Sequence, residues 1–165
     1  MGSTPVFNNA RIRNHDDQVL VARITEYFEA FATADAEKMD SMVADDYRMS
    51  DISINIVRSP KKTWFQQNKG FSGLFTDISC EAISLHGSSE PGSFAVMENV
   101  IRFTLKADPP EAAKANLPPG AKKGDSSGMI MLSTVWWDKD GKVSRELEYG
   151  KLLWEGFDIN AFNVW

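Results

Sequence analysis

Two acidic residues near the end of the chain, Glu146 and Glu148, stand two positions apart in a stretch that reads as β-strand. A strand alternates its side chains with a period of two, so both carboxyls leave the same face. The stretch 127–154 reads SGMIMLSTVWWDKDGKVSRELEYGKLLW, and Asp138-Lys139-Asp140-Gly141 in its middle is a hairpin signal, since Asp-Gly accepts the positive φ angles of a tight turn. With a loop of two or four residues, the pairing sets Ser133 and either Met131 or Val135 opposite the two glutamates. The pair then lies among Met129, Met131, Ser133, Val135 and Trp137, a largely apolar neighbourhood. Such surroundings solvate an ionised carboxylate poorly and raise its pKa toward the range useful for proton transfer. The same alternation also fits a half-exposed strand with Val143, Leu147 and Tyr149 inward and the acids in water. Periodicity leaves both arrangements open.

A third acid, Asp51, ends the extended segment 46–52, in which Tyr47, Met49 and Asp51 share one face. It is either a site residue or part of a turn with Ser50 and Ser53. Ahead of it, Val19, Leu20, Ile24, Tyr27, Phe28 and Phe31 recur at spacings of three and four, which predicts an amphipathic helix to about residue 33, capped by Asp16 or Asp17. Met39, Met42 and Val43 begin a short second helix ending near Asp45. Ser59-Pro60 opens a third helix, which Gly70 weakens or ends. Trp64 on that helix is a candidate pocket wall and Phe65 a core residue.

Strands follow at 78–84 and 94–105, separated by a Ser/Gly/Pro-rich turn at 88–93. Both faces of the second strand are mostly apolar, which fits a sheet curled around a cavity and covered on its back by a second subunit. Either Glu98 or Asn99 then faces the cavity. Residues 107–126 hold four of the seven prolines. That length is unusual for a hairpin connection and suits a lid, a subunit arm or a mobile excursion. Residues 1–15 read as a flexible N-terminal segment, 16–165 as a single domain, and 156–162 as a turn into a short apolar end.

Composition narrows the function classes. A chain of 165 residues with 42% hydrophobic and 25% charged residues can bury a core without disulfides or metal. Its net charge of −5 disfavours nucleic acid, and Lys61-Lys62 and Lys122-Lys123 are too short to line a phosphate groove. Cys80 is the only cysteine and His15 and His86 the only histidines, which points away from a disulfide, a metal site or a catalytic triad. No signal-peptide pattern and no apolar run of membrane-spanning length is present, so a cytoplasmic location is the default expectation.

The order helix, short helix, extended segment with an acid, helix, then a long antiparallel sheet ending in DGKV-x-x-E-x-E resembles the nuclear-transport-factor-like cone fold. Within it, the chain is similar to the SnoaL-like polyketide cyclase and isomerase family, including members from fungal natural-product pathways, over roughly residues 16–160. The resemblance implies an α+β cone, a curved and mostly antiparallel sheet with about three helices from the N-terminal half around a central pocket. In many members the last strand reads Gly-Lys-Ile-Val-Glu-His-Trp-Asp, with His and Asp turned into the cone. The matching residues here are Gly141, Lys142, Val143, Ser144, Arg145, Glu146, Leu147 and Glu148, so Glu148 stands at the family's acid and Glu146 at its histidine. The missing His and Trp leave the reaction of any one cyclase untransferred.

What the resemblance implies is cofactor-independent and metal-free proton transfer on a hydrophobic small molecule, in a homodimer. Glu148, Glu146 and Asp51 are the expected acids and bases. Tyr47, Trp64, Glu98, Met129, Met131, Ser133 and Trp137 are the expected substrate contacts. Isomerase or cyclase chemistry leads; a dehydratase, an epoxide hydrolase or a non-catalytic ligand-binding module on the same cone are the alternatives.

Overall fold

The computed structural model describes residues 6–153. Its first helix, α1 (Gln18–Thr33), begins where Asp17 Oδ1 accepts from Leu20 N at 2.8 Å, the side-chain cap that an orphan helix N–H requires. Asp35 caps the short α2 (Ala36–Met42) in the same way. That helix stops two to three residues before the expected end. Val43 instead opens strand β2 (Val43–Asp51), where it is fully buried and pairs with Val143. Tertiary pairing of a β-branched residue here overrides a weak local helical pattern.

Strand β3 (Ile56–Pro60) leads into α3 (Lys61–Leu74). The expectation that Gly70 weakens or ends this helix is corrected, because the helix continues through Gly70 and Gly73. Each glycine costs about 1 kcal/mol of propensity. The next turn recovers that by packing Phe71 against Phe31, Phe75 and Phe103, with ring centroids at 6.3, 4.7 and 5.4 Å. The N-terminal segment is a second correction. Val6–Asn8 forms β1, parallel to β4 (Phe75–Gly87), and Phe7 stacks on Phe28 at 5.8 Å while Ile12 is buried beyond it. Pairing with β4 and two buried apolar side chains dock it, although those two make no periodic pattern in a polar stretch.

Strands β5 (Phe94–Leu105), β6 (Ser126–Trp137) and β7 (Val143–Leu153) complete one sheet of seven, in the order β1-β4-β5-β6-β7-β2-β3. Pairing is antiparallel except at β1/β4 and β2/β7. This is the expected α+β cone-like architecture, with α1 and α3 against one face of a sheet that bulges bend at several points. The connection between β5 and β6 contains a 3₁₀ turn, Glu111–Asn116, and lays Leu117 and Ala121 against the core. The apolar end expected at 156–162 lies outside the described residues.

The β6/β7 hairpin fixes the placement of the acids. Asp138 Oδ1 accepts from Asp140 N and Lys142 N at 2.8 and 2.9 Å, and Gly141 takes φ +77°. Five residues separate Trp137 from Val143, which by itself would shift the register by one. A bulge between Trp136 and Trp137 restores it, so that Ser133 pairs with Glu148 and Val135 with Glu146. On the helix-covered face β5 then presents Ala95, Met97, Asn99, Ile101 and Phe103, all buried, and the opposite face exposes Phe94, Leu132 and Tyr149.

One glycine sets how closely β7 approaches β6. A Cβ on Gly150 would stand 2.2 Å from Met131 Sδ and 2.5 Å from the Ile130 carbonyl oxygen, and the backbone contact cannot move aside as a side chain could. Gly150→Ala is expected to lower stability by about 1–3 kcal/mol through overpacking, read as a lower urea midpoint with an unchanged m-value.

Candidate active site

The parallel pairing of β2 with β7 sets Asp51 beside Glu148 and Met49 beside Glu146, while β6 sets Ser133 on the other side of Glu148. Three carboxyls thereby gather on the interior face of neighbouring strands. Asp51, Glu146 and Glu148 are only 3, 3 and 6% exposed, which excludes the arrangement with both glutamates in water.

Each acid has its own polar partners. Tyr27 on α1 and Tyr47 on β2 both donate to Glu146 Oε2, each at 2.5 Å, and their two hydroxyl oxygens lie 3.1 Å apart. Burial and the charge of Glu146 push both phenols well above the usual tyrosine range, so they remain donors. Ser133 Oγ donates to Glu148 Oε1 at 2.8 Å. Asp51 Oδ1 accepts from Ser53 N at 2.8 Å and from the Ser53 hydroxyl. Asp51 is thus both the turn-former and the interior acid, the two roles its sequence left open.

These partners separate the acids in proton affinity. Burial raises Glu146 to about 7, with the two phenol hydrogen bonds opposing the rise. Glu148 is held well above the ordinary carboxyl range, first by burial and then by the charges of Glu146 and Asp51. Burial also raises Asp51, against the two hydrogen bonds from Ser53. Two close carboxyls in one apolar site cannot both ionise freely. The phenols favour the ionised form of Glu146, while Glu148 has the single Ser133 donor, so the two neighbouring carboxyls differ in proton affinity.

Of the residues expected to contact substrate, Tyr47 and Ser133 join the carboxyls directly. Met129 and Met131 are buried on the same face of β6. Trp64 is buried on α3 and stacks on Phe31 at 6.0 Å, and its Nε1–H has no hydrogen-bond partner. Phe31 lies one helical turn beyond Tyr27 on α1.

Two expectations need correction. Trp137 is pinned at the hairpin end, where its Nε1 donates to the Ser88 carbonyl at 2.8 Å and the Arg23 guanidinium sits 5.6 Å from its ring. It is four residues, about 13 Å, along the strand from Ser133. Glu98 faces the opposite side of the sheet, where it accepts from Ser84 Oγ at 2.5 Å and lines an open cavity of about 680 Å³ with Arg11 and Ile83. Asn99 is the inward residue of that pair. Sequence reasoning also placed Tyr27 in the core stripe without a role for its hydroxyl. Among the described residues, no group of three or more His, Cys, Asp or Glu side chains could hold a metal ion, and no helix is long and apolar enough to cross a membrane.

No protein-family model matches the chain, and no curated protein matches it in sequence. Solved structures do match in fold. A candidate SnoaL-like polyketide cyclase from Shewanella denitrificans superposes with a TM-score of 0.64 at 9% identity, over 81% of this chain and 91% of that one. IdmH, a candidate polyketide cyclase from Streptomyces antibioticus, gives 0.58 at 16% identity, over 78% and 89%. A Catenulispora acidiphila protein of ketosteroid isomerase-like fold, solved with trimethylamine, gives 0.58 at 10% identity, over 78% and 85%. At these identities the likeness establishes the SnoaL-like, ketosteroid isomerase-like cone fold.

The raised acids make stability pH-dependent in a defined direction. An unfolded glutamate has lost its proton above about 4.5, whereas folded Glu146 keeps its proton to about 7. Across that window the native state binds more protons than the unfolded one, so stability falls as pH rises, by roughly 3 kcal/mol for this group. Glu148 and Asp51 act with the same sign. Urea midpoints are expected to fall from mildly acid to neutral pH, and Glu146→Gln to flatten that slope.

Proposed function

We propose that the chain is a cofactor-independent acid/base isomerase or cyclase acting on a hydrophobic polyketide- or terpenoid-type intermediate of secondary metabolism. The observation that carries this reading is the buried carboxyl cluster, in which Tyr27 and Tyr47 hold Glu146 and Ser133 holds Glu148. A structural core gains nothing from three buried acids, each of which costs several kcal/mol to desolvate as an ion. Such groups with separated proton affinities are what proton transfer at neutral pH requires. The cyclase names carried by the fold neighbours point the same way.

In this mechanism Glu146, as carboxylate, removes a proton from carbon next to a substrate carbonyl. Glu148, as neutral acid, protonates the developing oxyanion or the leaving oxygen. Trp64, Met129 and Met131 supply apolar surface that excludes water and selects a flat, hydrophobic substrate. Asp51 adds negative charge that keeps the proton on Glu148.

The test is hydrogen exchange, because it needs no knowledge of the final product. The protein in deuterated buffer is incubated with a panel of polycyclic enones and β-diketones, and deuterium at the position α to the carbonyl is followed by mass spectrometry. The wild type is expected to catalyse exchange on at least one compound. Glu148→Gln should bind that compound and slow turnover by about 100-fold or more. Full exchange by Glu148→Gln contradicts the assignment, and tight binding by the wild type with no exchange identifies a ligand-binding module instead.

A further inference from the structure

Beyond the acids themselves, the interior of the sheet carries a row of hydrogen bonds that crosses four neighbouring strands and ends on Glu148. It starts at Cys80 on β4, whose Sγ–H lies 3.7 Å from Asn99 Oδ1 on β5. Asn99 Nδ2 donates to Ser133 Oγ on β6 at 3.0 Å, and Ser133 Oγ donates to Glu148 Oε1 on β7 at 2.8 Å. Cys80, Asn99 and Ser133 are 1, 1 and 2% exposed, so the row is shielded from bulk water.

The direction of the row is fixed at each link. Burial pushes the Cys80 thiol up, so it stays protonated and its S–H can donate to Asn99 Oδ1. The Asn99 amide is oriented by the Met97 carbonyl, 3.4 Å from Nδ2, because a flipped amide would set two carbonyl oxygens against each other. With the Asn99 N–H aimed at Ser133 Oγ, the serine hydrogen has to point away from Asn99, and Glu148 Oε1 takes it. Oε1 of Glu148 is therefore an acceptor whether the carboxyl is charged or neutral.

We propose that Asn99 and Ser133 are positioning residues that commit Oε1 of Glu148 to accepting, so that Oε2 is the atom that carries and transfers the proton. This rests on the acid/base reading above and adds the atom and the residues that select it. In the transfer, the Oε2–H bond breaks, the proton passes to an oxygen of the bound substrate, and the electron pair stays on the carboxylate. The Ser133 hydroxyl already faces the charge that forms, and no solvent has to reorganise. Return of a proton from substrate to Oε2 restores the acid.

The row also tunes how readily the proton leaves. Glu148 faces Glu146 on its own strand, Asp51 on β2 and Cys80 on β4, with Tyr27 of α1 and Tyr47 of β2 reaching Glu146 beside it. Of these, Glu146 and Asp51 favour the neutral form of Glu148 by their charge. The Ser133 donor is the group that favours the charged form. Without it the acid would hold its proton too tightly to be useful at neutral pH.

The test follows the Glu148 carboxyl by ¹³C NMR in protein labelled at glutamate Cδ, assigned with Glu148→Gln, and uses no substrate. Ser133→Ala is expected to raise the titration midpoint of Glu148 by about one pH unit, the effect of losing one hydrogen bond to a charged group. Ser133→Thr, which keeps the hydroxyl, should return it to the wild-type value. Asn99→Ala frees the serine hydroxyl to rotate and should raise the midpoint by less. Ser133→Val and Ser133→Thr, matched in shape and differing in the hydroxyl, give the same comparison if the alanine variant fails to fold. A midpoint that does not move, or moves down, when the hydroxyl is lost overturns the proposal. A midpoint that moves as expected in a protein showing no exchange on any compound leaves the donor row standing and removes the acid/base reading.

Discussion

The structure depends on one unfavourable act, the burial of Asp51, Glu146 and Glu148 on the interior face of a sheet, and on the donors that make it tolerable. An isolated carboxylate in such surroundings would neutralise or unfold the chain. Tyr27 and Tyr47 supply two hydrogen bonds to a single oxygen of Glu146, and Ser133 and Ser53 supply donors to the other two acids. Those donors come from α1, β2, β6 and the turn after β2. The packing of the helix on the sheet, the parallel pairing of β2 with β7 and the hairpin bulge are thus all tied to the same cluster. A shift of any one by a residue would leave a buried charge without its partner.

Seen from the sheet, the cluster is one end of a longer polar band. Cys80, Asn99, Ser133, Glu148 and Asp51 lie on five consecutive strands, β4, β5, β6, β7 and β2, surrounded by Met97, Met129, Met131, Val135 and Ile101. The apolar flanks lower the local dielectric and strengthen every hydrogen bond within the band. The same flanks make an unpaired group in it costly, which favours one arrangement of the side chains over the alternatives. Fold likeness alone says nothing of this, since one cone carries many chemistries and the neighbours described above are 9 to 16% identical to this chain.

How much of this the sequence discloses follows from the range of the interactions. The common face of Glu146 and Glu148, and Ser133 opposite them, were legible because a strand period of two and an Asp-Gly turn are local signals. The five-residue loop and the bulge at Trp136 were not, and the expected parity holds because the two offset each other. Asp51 could not be placed beside Glu148, because the register of two parallel strands distant in sequence has no local signal and here shifts between Val43 and Arg48. Glu98 and Asn99 were indistinguishable because both faces of β5 are apolar, and the turn that fixes their parity is a long irregular connection. Tyr27 was legible as a core residue of α1, but its hydroxyl meets a partner more than a hundred residues away. Docking of β1 rests on its pairing with β4 and on Phe7 and Ile12, two apolar side chains too few to form a pattern.

The site rests on a difference in proton affinity: Glu148 keeps its proton to higher pH than Glu146, so that above about 7 a neutral Glu148 stands beside an ionised Glu146. Infrared spectroscopy of the carboxyl stretch tests it most directly, since a buried protonated carboxyl gives a C=O band apart from those of carboxylates and the amide backbone. At mildly alkaline pH, above the Glu146 value of about 7, the wild type is expected to show such a band and Glu148→Gln to lose it. No band in the wild type at that pH, or a band that persists in full in Glu148→Gln, rules the assignment out.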